Sequence, residues 1–388
     1  MDFTFNQEQM QFADAIKRWV AKDYSFDERA RIIASPAGVS GAAWAALAEL
    51  GMTALPVPEP QGGFSGSAVD MFVVMQELGR GLVVEPYFAT VLGAEFLKLA
   101  GGHEGGHGKL LEQVAAGELK LACALGERQS RHDLAAIATS AVLDANGYLI
   151  NGRKSVVLHG AQAGSLIVST RSSGAPRDQA GITLFVLPAD TAGVTITDYR
   201  TLDGLRAADV QFDQVRVPAS ALLGAPGAGW DTLEAATDYG AGLLCFEALG
   251  AMETLFAATL EYLKTRTQFG APIGKFQALQ HRMADMFIHL EQARSMALLA
   301  AVKLDSSGPG NPAQRRRAVA AAKFRIGQAI KFIGQQAVQL HGGMGVTNEL
   351  PAAHYFKRLT MIELTLGDSD HHLRRFMAQP EFAVDADA

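Results

Sequence analysis

The chain has 388 residues, 48% apolar and 19% charged, enough for two or three domains of roughly 150 residues around substantial cores. That excludes a peptide hormone, a zinc finger and a disordered tail. The 34 Lys and Arg against 40 Asp and Glu leave a net charge of -6, which provides no electrostatic footprint for nucleic acid or an anionic membrane.

A first helix is expected from Asn6, which stands as cap with Gln9 three residues on, while Phe12, Ile16, Trp19 and Val20 recur on one face. Ser40 opens a second, with Trp44, Leu47 and Leu50 at helical spacing and Gly51 as its stop. Helical patterns over 68–79 and 90–99 complete a first block of about 115 residues. Near Lys120 the period changes, and 121–124, 139–143, 148–150, 166–169, 182–187, 194–197 and 210–217 read as short strands. Asn146-Gly147 and Asn151-Gly152 are hairpin-type turn signals between them. After a glycine-rich stretch at 224–227 the pattern is helical to the end, over 230–266, 276–304, 312–340 and 352–377. Segments of that length pack as an antiparallel bundle. The expected organisation is α+β: an N-terminal helical domain over 1–117, a central β domain, barrel or sandwich, over 118–225, and a C-terminal four-helix bundle over 226–388.

Cys123 and Cys245 are too few and too far apart for a disulfide framework or a Cys-based zinc site, which fits a cytoplasmic protein. The longest apolar runs, 86–94 and 134–143, fall short of the ~18 residues of a bilayer span. The Met1-Asp2-Phe3 start has no basic n-region or apolar h-region, so an unprocessed, soluble chain is expected.

His103-Glu104-Gly105-Gly106-His107 has the letters of a zinc-protease motif. That motif needs a stable helix to put both histidines on one face, and glycines within and around it each cost about 1 kcal/mol in a helix, so an exposed loop and no metal site is expected. His371-His372 has no ligand partner at metal spacing and reads as a surface or interface pair. The informative segment runs from Tyr262 through Arg266, Gln268, Phe269 and Gly270 to Pro272, Phe276, Gln277 and Gln280. A helix ending in Arg266 and turning at Gly270-Ala271-Pro272 presents a guanidinium that can pair bidentately with a phosphate, with amide side chains beside it. A capped helix end is the other reading of the same residues.

Tyr-x-x-x-Arg-x-Gln-Phe-Gly-x-Pro-Ile over 262–273, with Phe276-Gln277 after it, resembles the flavin-binding signature of the acyl-CoA dehydrogenases. Pro58-Glu59-Pro60-Gln61-Gly62-Gly63 and Gln339-Leu340-His341-Gly342-Gly343-Met344-Gly345 resemble two further signatures of that family, in the same order. The resemblance covers nearly the whole chain and implies FAD lying across a subunit interface. It assigns Arg266, Gln268, Phe269, Phe276, Gln277, Gln339, Gly342 and Gly343 to the pyrophosphate and adenine of a flavin seated in the neighbouring subunit. It also implies an acyl-CoA substrate, from whose α-carbon a carboxylate takes a proton while hydride leaves to the flavin, and electron-transferring flavoprotein as acceptor.

The two family positions for that carboxylate carry Leu366, before Gly367, and Gly240, before Ala241. Glu363, Asp368 and Asp370 are the local substitutes, Asp368 being the best of them. The ring-contacting segments also depart: 126–133 reads Gly-Glu-Arg-Gln-Ser-Arg-His-Asp where Thr-Glu-Pro-x-x-Gly-Ser-Asp is usual, and 154–158 lacks the usual Trp and Thr. Such losses are expected of one chain in a heteromeric member of the family, whose related partner holds the acyl-CoA, the base and the flavin ring. Met1-Asp2-Phe3, Tyr24-Ser25-Phe26-Asp27, Gln280-His281-Arg282-Met283 and 354–360 are similar to small subunits of paired enzymes for dicarboxylic acyl-CoA. The pair is then a heterotetramer. The alternatives are a self-sufficient homodimeric or homotetrameric dehydrogenase or flavin oxidase with a non-standard base, and a non-enzymatic binding protein on this fold.

Overall fold

A computed structural model describes residues 5–101, 106–306 and 311–379. Helix α1 (Gln7–Asp23) opens with a capping box in which Asn6 and Gln9 bond each other's backbone N–H at 2.9 Å. α2 (Phe26–Ala34) follows, and α3 (Gly41–Glu49) is capped by the Ser40 hydroxyl. α4 (Ala68–Gly81), α5 (Tyr87–Leu99) and α6 (Gly108–Ala115) complete the first helical block. Two of these, the short helices α2 and α6, go beyond the helices expected from the sequence.

Strands β1 (Leu121–Ala124), β2 (Ser140–Asp144), β3 (Gly147–Leu158), β4 (Ser165–Arg171), β5 (Ile182–Pro188), β6 (Val194–Arg200), β7 (Arg206–Val217) and β8 (Leu222–Leu223) form one mixed sheet in the order β6-β7-β3-β2-β4-β5-β8, with β1 parallel to β4. The Asn146-Gly147 signal sits at the tight β2–β3 hairpin, where Asp144 pairs with Gly147. Asn151-Gly152 is not a turn: it lies inside β3, at a register shift against β7. The Asn151 amide oxygen accepts from both the backbone N–H and the side chain of Gln214 at 2.8 Å, and a Cβ on Gly152 would crowd Thr139 at 2.6 Å. The pair therefore makes a bulge and a close approach.

α7 (Trp230–Thr265) is followed by a hairpin of β9 (Thr267–Gln268) and β10 (Ala271–Pro272), then α8 (Gln277–Ser306) and α9 (Pro312–His341). The stretch 352–377, expected as one helix, is two: α10 (Pro351–Leu364) and α11 (Ser369–Met377). Leu366 and Gly367 between them have φ of 55° and 105°, which no α-helix accommodates. Against the expectation from unbroken apolar runs, α7 is long and apolar enough to span a bilayer, isolated charges interrupting its apolar sequence. Its most apolar window is 67% buried, as befits a core helix.

The chain forms two compact units. One contains residues 31–67 and 84–240, including the sheet, with a core of Ile150, Leu166, Val168, Phe185, Val210 and Phe212 among others. The other contains residues 1–30, 68–83 and 241–388. There α4 and α7 cross through facing glycines, and a Cβ on Gly250 would overlap the Gln76 carbonyl oxygen, one on Gly79 that of Glu247. Backbone cannot yield as a side chain can, so Gly250→Ala is expected to cost about 3 kcal/mol of stability, read as a lowered urea midpoint. The same unit buries a bidentate pair, Arg358 to Glu247 at 2.6 and 2.8 Å.

Candidate functional site

The signature over 262–277 folds into the end of α7, the β9–β10 hairpin and the start of α8. Arg266 N–H still bonds the Tyr262 carbonyl at 2.8 Å, and the Arg266 carbonyl accepts from Ile273 N–H at 2.9 Å, closing the hairpin. Its two tip residues, Phe269 and Gly270, have φ of 55° and 77°, the left-handed pair of a type I′ turn. Phe269 is 92% exposed, with its ring 6.1 Å from that of Phe276 in an edge contact. A bulky aromatic in the left-handed region, with its face in solvent, is costly twice over. The Arg266 guanidinium is exposed and has no hydrogen bond or ion pair among the described residues, and Gln277 and Gln339 carry free exposed amides. Gln268 turns its amide to its neighbour's carbonyl, Thr267 O, at 2.8 Å.

The second arm is the end of α9. Gln339 lies on its exposed face, and Gly342 takes φ 61° and ψ -142°, a conformation open only to glycine. A Cβ on Gly342 or Gly343 would touch nothing within 4 Å, so the backbone there is clear for a ligand. The arms meet at Tyr262 and His341, whose rings stack at 4.5 Å. One guanidinium, three amides and an open glycine turn are the donor set that a pyrophosphate and an adenine require, so the residues present fit the ADP half of FAD. Both arms are legible in the sequence, but the Tyr262–His341 contact is not, because residues so far apart in the chain signal no proximity.

At residues 240 and 366, expected to be the positions of the base, no carboxylate is presented. Gly240 is buried in α7. Leu366 occupies the α10–α11 turn, and that turn is pinned by two side chains other than its own. The ammonium of Lys323, 1% exposed, donates to Ile362 O at 2.7 Å and to Glu363 O and Gly367 O at 3.1 Å. His372 Nε2–H donates to Leu366 O at 2.9 Å. His372, expected at a surface or interface, is buried within the chain: a histidine three residues into a helix packed beside its own turn caps that turn instead of facing solvent. Burial holds its pKa well below the usual value, with the Lys323 charge adding to the effect, and keeps it neutral. The substitutes are committed elsewhere. Asp368 caps α11 through His371 N–H at 2.8 Å, and Glu363 takes Ser369 N–H, the Ser369 hydroxyl and Lys331 at 2.8 to 2.9 Å. Asp370 is exposed in the first turn of α11.

In the sheet unit, the two segments expected at the flavin ring are joined by Ser155 N–H to Gly126 O at 2.9 Å. Lys154, wholly buried, donates to Glu127 at 2.8 Å, Leu125 O at 3.1 Å and Ser169 at 3.1 Å. Glu127 also accepts from Ala138 and Thr139 N–H at 2.9 and 3.0 Å. Burial alone would raise the Glu127 carboxyl, but Lys154 and these donors outweigh it and hold it down to about 2. Val156, in the strand expected to lie at the flavin ring, is exposed at φ 56° on a bulge of β3. His107, expected in an exposed loop, is buried, with Nε2–H on Leu222 O at 2.9 Å, while His103, Glu104 and Gly105 lie outside the described residues.

Residues 6–118, 122–215 and 227–379 match, respectively, the N-terminal, middle and C-terminal domain models of acyl-CoA dehydrogenase. The chain is 29% identical over 377 residues, 95% of its length and 97% of the relative's, to the probable acyl-CoA dehydrogenase YngJ of Bacillus subtilis. Among solved structures it is similar to butyryl-CoA dehydrogenase from Megasphaera elsdenii, at 26% identity and TM-score 0.87 over 97% of this chain and 98% of that one. It is also similar to a point variant of the steroid acyl-CoA dehydrogenase Tcur3481-Tcur3483, at 27% identity and TM-score 0.85 over 95% and 96%.

Proposed function

Because the chain belongs to the acyl-CoA dehydrogenase family, we propose that it takes part in FAD-dependent α,β-dehydrogenation of an acyl-CoA as the base-lacking partner of a related chain. The observation that carries this reading is the hairpin tip. Phe269 at φ 55° and 92% exposure, beside an Arg266 with no partner in the described chain, is a surface whose cost contact with a second subunit and its ligand would offset. Arg266, Gln268, Phe269, Phe276 and Gln277 of one arm and Gln339, Gly342 and Gly343 of the other hold the ADP end of FAD bound mainly by that partner. FAD supplies the hydride acceptor when bound.

What this chain does not present is a group to take the α-proton. Leu366 and Gly240 cannot, and Asp368 and Glu363 already accept two or more hydrogen bonds or cap a helix. Val156 and Leu158 likewise offer no aromatic face or hydroxyl at the positions where the ring is expected. A paired assembly accounts for all of these at once, and one similar solved enzyme, Tcur3481-Tcur3483, is named as a pair. The stretches at 1–3, 24–27, 280–283 and 354–360 favour a dicarboxylic acyl group, as in the small subunit of pimeloyl-CoA dehydrogenase, with electron-transferring flavoprotein as acceptor in the cytoplasm. Residues 1–117, 118–225 and 226–388 are the three functional segments of this reading.

Co-purification with the Glu-bearing dehydrogenase chain tests it: one FAD per pair of chains is expected, and one FAD per chain refutes it. Arg266→Ala is expected to weaken FAD binding by the pair about 10- to 100-fold, the loss of one charge-assisted phosphate contact.

A further inference from the structure

We infer that Tyr262 and His341 form a brace that sets the two phosphate-binding arms at a fixed spacing, making both of them positioning residues for the ADP half of the flavin. The inference rests on the reading that Arg266 and the 339–343 segment bind that half.

Tyr262 lies in the last turn of α7 and its carbonyl takes the Arg266 N–H, so Arg266 follows wherever Tyr262 is held. His341 is the last residue of α9, 6% exposed, and its carbon framework is wrapped by the following turn: a Cβ on Gly345 would lie 3.0 Å from His341 Cβ. The two rings stack at 4.5 Å and 28°, and the Tyr262 hydroxyl donates to His341 O at 3.4 Å. His341 Nδ1–H donates back to Ala337 O at 2.8 Å, one turn earlier on its own helix. That bond fixes the ring's tautomer and its plane, so the face it offers Tyr262 is preset.

Among the described residues no other ring contact joins the two arms. The hairpin beyond Arg266 is two short strands with an exposed tip, and the Gly342-Gly343 turn has no side chains of its own. A bidentate guanidinium and a glycine turn grip one pyrophosphate together only if their separation is set before the ligand arrives. Setting it lowers the ordering cost of binding. The contribution of such an aromatic pair beyond burial is on the order of a tenfold change in affinity.

The test uses the full chain in the flavin-binding assembly in which it purifies, stripped of flavin and titrated with FAD and with FMN, which lacks the adenylate. Tyr262→Ala and His341→Ala are each expected to weaken FAD about 10-fold and to leave FMN unchanged. Their double variant is expected to lose no more than either single, because the two act as one contact. Tyr262→Phe keeps the stack and leaves the His341 ring bond to Ala337 intact, and it is expected to bind FAD within twofold of the parent. Equal losses for FAD and FMN, or a Tyr262→Phe variant as weak as Tyr262→Ala, overturn the brace. Arg266→Ala separates the two levels: if it leaves FAD affinity intact, the parent reading fails, and if it weakens FAD while both Ala variants do not, only the brace fails.

Discussion

Lys154→Met is expected to lower the stability of the sheet unit by about 3–5 kcal/mol, the cost of leaving the Glu127 carboxylate buried without its cation. Lys154 is fully buried and Glu127 nearly so, and between them they satisfy Leu125 O, Ser169 and the N–H groups of Ala138 and Thr139. The methionine keeps the side-chain volume, so the loss reports electrostatics and hydrogen bonding more than packing. Urea unfolding followed by the fluorescence of a tryptophan placed in the sheet measures it; a loss under 1 kcal/mol would contradict the account. The same pair makes the unit acid-sensitive. The Glu127 carboxyl is held at about 2 in the folded state against an ordinary 4.5. Its contribution is therefore full above pH 4.5 and is lost as the pH falls through 2, amounting to at most about 3 kcal/mol, less whatever solvent screens. In Lys154→Met that acid limb disappears, because the carboxyl no longer has a cation to hold it down.

Anaerobic acyl-CoA is expected to bleach the flavin of the assembled pair promptly, and any flavin loaded onto the isolated chain about 10²- to 10⁴-fold more slowly, the usual cost of a missing general base. The physical ground is the α10–α11 turn. Lys323 and His372 hold four successive or near-successive carbonyls, those of Ile362, Glu363, Leu366 and Gly367. The direction of residue 366 is thus set by groups that do not depend on its identity, and leucine stands in an otherwise built position. Rapid bleaching by the isolated chain would revive the self-sufficient enzyme with a base of its own. Absence of flavin in every complex would favour a binding protein.

The elements that carry their own signals were legible from residues alone. Asn6 and Gln9 form the cap box they spell, Ser40 caps α3, and the long apolar periods from Trp230 onward become the four long helical stretches, the last of them interrupted. The turns at 262–277 and 339–343 were equally legible, since both are short local motifs in which glycine, joined by Pro272 in the first, dictates the turn. Where local and distant demands compete, the residues alone mislead. Asn151-Gly152 spells a hairpin, yet Gln214 and Thr139 claim it for a bulge within β3. His371-His372 spells a polar pair, yet His372 is drawn inward by the Leu366 carbonyl.

Composition and motif order were enough for the family and the three-part α+β order. Tertiary structure alone decided that Glu127 meets Lys154, that Lys323 pins a turn about forty residues away, and that Tyr262 stacks on His341. Periodicity and capping act over a few residues of one element, whereas each of these contacts joins elements whose separation in the chain is set only when the whole fold closes.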